Sequence, residues 1–173
     1  MSHDLFSPFD SSNSSVLLVR DVAGDYRQVD ADEVLQAAQL VLLGRVRGSD
    51  VLASPQAVRD FLRVKLGTLE HEVFAVVHLD SQNRVIEYVE MFRGTVSQTS
   101  VYPREVVREA MMRNSAALLL VHNHPSGSTQ PSCADEMLTQ TLKAALSLVD
   151  VRVLDHLIVA GSDILSMAEH GLM

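Results

Sequence analysis

The sequence predicts a mixed α/β fold, a β-sheet with helices on both sides, and three observations carry that prediction. Two β-branched and aromatic runs, 72–79 and 84–92, flank the turn Asp80-Ser-Gln-Asn83 and read as a hairpin. The wholly apolar run Ala116–Val121 is short and bounded by turn residues, as a central strand buried on both faces would be. After it, helical and strand patterns alternate, which favours helices packed on the sheet rather than a separate bundle.

The elements follow in order. Residues 1–15, rich in Ser, Asp and Pro, read as a loose arm, and Val16–Val19 as a short strand. Asp30 followed by Glu33 is a capping-box pair, and Val34, Ala37, Ala38, Val41 and Leu42 recur at helical spacing up to an expected stop at Gly44. A second helix is capped by Ser54, opens at Pro55, carries Val58, Phe61, Leu62 and Leu66 inward, and stops at Gly67. Pro103 opens a third, with Val106, Val107, Ala110 and Met111 inward. Ser132 caps a fourth, with Leu138, Thr141, Leu142, Ala145 and Val149 as its stripe. Val151–Ala160 and Ile164–Met167 are strands around the turn at Gly161. This order divides the chain into an N-terminal arm and helix, 1–50, and one domain, 51–173.

Composition narrows the function. At 173 residues and 47% apolar, the chain supports one well-buried core. Fourteen Lys and Arg against 22 Asp and Glu leave a net charge of −8, which disfavours a nucleic-acid partner, because affinity for phosphates rests on Lys and Arg. A single cysteine, Cys133, read as a packing residue, permits no intrachain disulfide and suits a reducing cytoplasm. No apolar run approaches the ~20 residues of a membrane span, and the first residues lack a signal-peptide pattern. The hairpin's open edge is a surface through which a homodimer could form.

One segment stands apart. His122 and His124, at i and i+2 at the end of a strand, project to one face. The loop from Pro125 to Pro131 turns back, so Asp135, in the first turn of the next helix, returns to the same point. His, His and Asp make an N,N,O set that suits Zn²⁺ and leaves a position for water, whose pKa falls from about 15.7 to about 7. Ser132 and Asp135 also fit a purely local role as a helix cap. The H-x-E and P-C-x-x-C pattern of nucleobase deaminases is not met, since His124 stands where Glu would be and Cys133 is the only cysteine. The H-E-x-x-H of zincins is absent too.

With its spacing complete, His122-x-His124-x7-Ser132-x2-Asp135 resembles the JAMM (MPN-plus) metalloprotease motif. Tyr102-Pro-Arg-Glu-Val106, His122-Asn-His-Pro-Ser-Gly127, Asp155-His-Leu-Ile158 and Ala168-Glu-His-Gly171 resemble the RadC-like branch, the ending being similar to short members carried on mobile elements. The resemblance covers residues 54–173. It implies a JAMM/MPN, cytidine-deaminase-like fold, one Zn²⁺ held by His122, His124 and Asp135, and hydrolysis of an amide or isopeptide bond in a peptide or protein. It also implies a glutamate that moves the water's proton, matched by Glu72 with Glu70 as the competitor, and a serine, Ser132, that steadies the oxyanion. Asp155-His156 belongs to the same pattern; adjacent strand residues face opposite ways, so at most one of them touches the site. Longer RadC-like proteins carry a helix-hairpin-helix built on Gly-x-Gly. Here Gly24, Gly44 and Gly48 precede residue 50 without that spacing. The alternatives to a hydrolase are a DNA-repair or DNA-processing accessory, with or without nuclease activity, and a binding module on a metal-stabilised scaffold. His3, His71, His78 and His170 lack ligand spacing and read as surface or packing residues. Glu87, Glu90 and Glu105 read as solvated, each in an amphipathic setting with Arg or Lys neighbours.

Overall fold

The computed structural model describes residues 17–20, 22–47, 49, 55–94 and 100–173. The expected arm at 1–15 and the Ser54 cap lie outside them. Two compact units divide after Ala37.

In the first unit, β1 (Leu18–Arg20) pairs antiparallel with β2 (Tyr26–Gln28), a strand the sequence reading missed. The helix α1 (Ala31–Val46) begins at the expected capping box: Asp30 Oδ1 accepts from Glu33 N at 2.8 Å, and Glu33 Oε2 accepts from Asp30 N at 3.2 Å. Arg27 adds a two-pronged ion pair to Glu33, at 2.6 and 2.8 Å.

The second unit carries the rest. Its start corrects the expected stop at Gly44, because α1 runs on to Val46. A glycine inside a helix costs only about 1 kcal/mol, and Val46, buried in the core with Leu42 and Leu43 packed on it, outweighs that. Next come α2 (Pro55–Leu66), β3 (Val73–Leu79), β4 (Val85–Arg93), α3 (Pro103–Met112), β5 (Ala117–Asn123), α4 (Cys133–Ser147), β6 (Arg152–Ala160) and β7 (Asp163–Ser166). The strands form one mixed sheet in the order β4-β3-β5-β6-β7, in which only the β5–β6 pair is parallel. The crossover that this parallel pair requires is α4.

Alternation sorts the side chains into two layers. Val73, Ala75, Val77, Leu119, Val121 and Val159 pack with Phe61 and Leu62 of α2. Phe74, Val76, Leu118 and Leu120 pack on the other face with Val106 of α3 and Leu142 of α4. Every residue of β5 is buried, as its apolar run predicted, and so is every residue of β3. Gly67 ends α2 at a contact only glycine tolerates: a Cβ there would lie 2.3 Å from the Gly161 carbonyl oxygen.

Two helical stripes need correction. Met111 is exposed, and α3 buries only Val106 and Ala110. Thr141 is exposed as well, while Thr139, Leu142 and Leu146 form the buried stripe of α4. Cys133, expected to pack, is exposed and free. Glu87, Glu90 and Glu105, expected to be solvated, each meet a cation: Arg113 at 2.8 Å, Lys65 at 3.0 Å and Arg108 at 3.0 Å. No described helix is long and apolar enough to cross a membrane.

At the far end of β3, His78 is completely buried, and its Nδ1 lies 2.8 Å from Ser115 Oγ. Burial, reinforced by Arg113 and opposed by Glu109 and Glu87, lowers its pKa to about 4. The unfolded chain, near 6.5, therefore takes the proton first, and stability falls as pH drops from about 6.5 toward 4. We predict that His78→Asn removes up to about 3 kcal/mol of this acid sensitivity. Urea unfolding at pH 7 and pH 4.5 checks it: the stability difference between wild type and variant should change between the two pH values, and an unchanged difference contradicts the assignment.

Candidate metal centre

His122 is the penultimate residue of β5, and His124 is the first residue beyond its end, tied down by its backbone N–H to the Val159 carbonyl at 2.8 Å. Both lie on the face that packs against α4, whose N-terminus stands at the carboxyl end of β5. That position is where open α/β sheets collect their ligands. Asp135 sits in the first turn of α4, where the helix dipole favours a carboxylate.

These elements bring the three expected ligands together. The ligand atoms of His122, His124 and Asp135 all lie within 4.8 Å of one another. His122 Nε2 and His124 Nε2 are 2.9 Å apart, with Asp135 Oδ1 3.2 Å from the former and Oδ2 3.6 Å from the latter. His124 Nδ1 lies 2.7 Å from the Ser128 carbonyl oxygen. A carbonyl only accepts, so Nδ1 carries the hydrogen and Nε2 of the neutral ring turns a lone pair to the centre. Two imidazole nitrogens and a carboxylate this close repel unless a cation lies among them. A proton serves in part: His124 holds one more tightly than an ordinary histidine, through its hydrogen bond to Asp135, helped by the Ser128 carbonyl and the charges of Asp135 and Glu72. Burial alone would raise the Asp135 carboxyl. The neighbouring His122 and His124 rings and the Ser132 hydroxyl outweigh that and hold it well below the usual carboxylate range. The N,N,O donor set thus fits a divalent cation such as Zn²⁺.

Ser132 and Asp135 form the expected capping box. Ser132 Oγ accepts from Asp135 N at 3.2 Å, while Asp135 Oδ2 accepts from Ser132 N at 2.7 Å and from the Ser132 hydroxyl at 2.6 Å. The serine proton is thus spent on the carboxylate.

Glu72 precedes β3. The β3–β5 register pairs Phe74 with His122, and continuing it sets Glu72 opposite His124. The effect of the Glu72 charge on His124 places the two in electrostatic reach. Glu70 lies instead on the wall of a cleft of about 240 Å³ that also includes His124, Pro125 and Gly127.

Two groups escaped the sequence reading. Asn123, between the two histidines in sequence and buried, accepts from Val73 N at 2.8 Å and donates to the His71 carbonyl at 3.0 Å. It thereby clamps the backbone on both sides of Glu72. The second is Thr139, buried against His156. The Asp155-His156 pair divides as alternation requires. His156 faces His122, Nε2 to Nδ1 at 2.9 Å, while Asp155 accepts from the Ser166 hydroxyl, Ala168 N and His156 N. An Asn between two candidate ligand histidines is a signal the sequence carries; Thr139 has none without the fold.

Comparison with known proteins decides the family. A model of the RadC-like JAB domain matches residues 52–172. The chain belongs to the RadC-like JAB-domain family. It is 53% identical over 150 residues to a UPF0758 protein of Leptothrix cholodnii, covering 87% of this chain and 68% of that one. To UPF0758 proteins of Aromatoleum aromaticum and Variovorax paradoxus it is 56% identical over 149 residues and 48% over 163. Those matches cover 86% and 94% of this chain, and 65% and 72% of the relatives' own lengths. The mixed sheet with flanking helices is consistent with the JAB/MPN fold of this family.

Because Ser132 serves both helix and carboxylate, Ser132→Ala should lower stability by about 1 kcal/mol even in metal-free protein. Denaturant unfolding in the presence of a chelator checks this. An unchanged midpoint would show that the capping bonds contribute nothing.

Proposed function

We propose that this protein is a zinc-dependent hydrolase of the JAMM type that cleaves an amide or isopeptide bond in a peptide or protein. The observation that carries the reading is the convergence of His122 Nε2, His124 Nε2 and the Asp135 carboxylate, with a second carboxylate, Glu72, across the β3–β5 seam. Bound by that triad, Zn²⁺ would supply a Lewis acid and a water acidified to near neutrality.

The chain's own residues do the rest. Glu72 takes the proton of the attacking water and returns it to the leaving amine, which needs a carboxylate held beside the ligands yet outside the ligand set. Its position opposite His124 favours it over Glu70, whose place on the cleft wall suits contact with substrate. Asn123 keeps Glu72 in place through the His71 and Val73 backbone. Ser132, which steadies Asp135 in this structure, offers its hydroxyl to the developing oxyanion when its bond to Asp135 opens. The net charge of −8 supports a peptide over a nucleic acid as substrate. An exposed free Cys133 suits the cytoplasm, where thiols stay reduced.

The test uses zinc-loaded protein, a library of peptides and isopeptide-linked peptides, and product detection by mass spectrometry. Wild type should cleave a subset. Glu72→Gln should lose at least about 100-fold in rate with its zinc content unchanged, and Glu70→Gln should stay within a few-fold. Loss in Glu70→Gln with Glu72→Gln active would exchange their roles. Cleavage of DNA and of no peptide would overturn the reading.

A further inference from the structure

A chain of buried hydrogen bonds behind the ligands begins and ends at Asp135. The Asp135 carbonyl oxygen accepts from the Thr139 hydroxyl at 2.6 Å, one turn along α4. Thr139 Oγ1 lies 2.6 Å from His156 Nδ1, and His156 Nε2 lies 2.9 Å from His122 Nδ1. The other nitrogen of that last ring, Nε2, faces Asp135 Oδ1 at 3.2 Å. Thr139 and His156 are both completely shielded from solvent.

The direction of each bond follows from counting protons. A hydroxyl has one, and the carbonyl can only accept, so Thr139 gives its proton to Asp135, a usual bond for a threonine in a helix. Met167 Sδ, at 3.7 Å, is the weaker acceptor. The Thr139 oxygen then receives an N–H from His156 Nδ1. His156 is completely shielded from solvent, and its two ring nitrogens meet an uncharged hydroxyl and another imidazole rather than a carboxylate, which favours the neutral ring. A neutral imidazole has one N–H, so His156 Nε2 bears a lone pair, and that lone pair receives the N–H of His122 Nδ1. His122 Nε2 is left with its lone pair directed at the centre. Run the other way, with Thr139 donating to His156, the same chain would place an N–H on His122 Nε2, where no cation could be bound.

We infer that Thr139 and His156 are positioning residues that hold His122 in the Nδ1–H tautomer, so that its Nε2 is available to a metal ion. Neither residue supplies a ligand atom. The inference rests on the reading of the triad as a metal site, and it adds the device that prepares one of the ligands.

Thr139→Val and Thr139→Ser separate this role from packing, since valine keeps the shape without the hydroxyl and serine keeps the hydroxyl. Zinc affinity is measured by competition with a chromophoric chelator, and the His122 tautomer by long-range ¹H–¹⁵N correlation in the zinc-loaded and metal-free proteins. Thr139→Val should bind zinc about 10-fold more weakly, the usual scale for losing an outer partner of a metal-bound histidine. Thr139→Ser should stay within about 2-fold of wild type, by the same principle that the hydroxyl carries the effect. In metal-free wild type, His122 should be protonated at Nδ1, with the Nε2–H form gaining population in Thr139→Val. Circular dichroism checks that the variants fold. His156→Gln retains an acceptor toward His122 and should keep more affinity than His156→Leu; the reverse order counts against the inference. Equal zinc binding by wild type and Thr139→Val, or an Nε2–H tautomer in metal-free wild type, overturns it while leaving the metal site standing. Wild type that takes up no zinc overturns the metal reading and this inference together.

Discussion

The reciprocal hydrogen bonds between Ser132 and Asp135 join the start of α4 to the centre that the two histidines face. Asp135 is at once the third residue of the helix, the acceptor for the Ser132 backbone and hydroxyl, and the carboxylate of the triad. A helix cap needs a carboxylate fixed at one place and angle, and a metal ligand needs the same. One residue can meet both needs because the N-terminus of α4 lies at the carboxyl end of β5. Removing the cap would let the helix fray and release the carboxylate from beside two imidazoles. Fold stability and site geometry are therefore linked through a single side chain.

The sheet topology sets everything around that link. The parallel β5–β6 pair demands a crossover, and α4, as the crossover, starts at the end of the sheet where β5 finishes and carries the chain back to where β6 begins. The antiparallel neighbour β3 runs the opposite way, so its entry, with Glu72, meets the exit of β5. Asn123 takes over where the ladder of β3 is incomplete, pairing through its side chain with Val73 and His71. His156, one strand further on, completes the ring of support behind His122. Four chain segments far apart in sequence thus converge on a volume a few ångströms across. The β3, β5 and β6 segments arrive there through backbone pairing, and α4 is fixed there by its Ser132–Asp135 cap.

Much of this was legible before any coordinates, for particular physical reasons. The i, i+2 spacing of His122 and His124 on a strand and the Ser132–Asp135 capping pair are local patterns, and local patterns survive folding unchanged. The strand boundaries followed from β-branched runs and turn residues. What failed depended on tertiary packing. The stop signal at Gly44 yields to the burial of Val46 one half-turn beyond it. The stripe of α4 was misplaced because Thr141 and Thr139 differ in burial only through which face meets the sheet. The chain through Thr139 and His156 joins α4 to β6, and no spacing along the sequence signals that meeting.

The account stands on a cation at the meeting point of His122, His124 and Asp135. Elemental analysis of the purified chain, reloaded with Zn²⁺ and freed of loosely held metal, tests this most directly when run beside Asp135→Ala. The account predicts about one zinc per chain in wild type, as an N,N,O site holds a single ion, and its loss in the variant. Zinc absent from wild type, or bound as tightly without the Asp135 carboxylate, would contradict it.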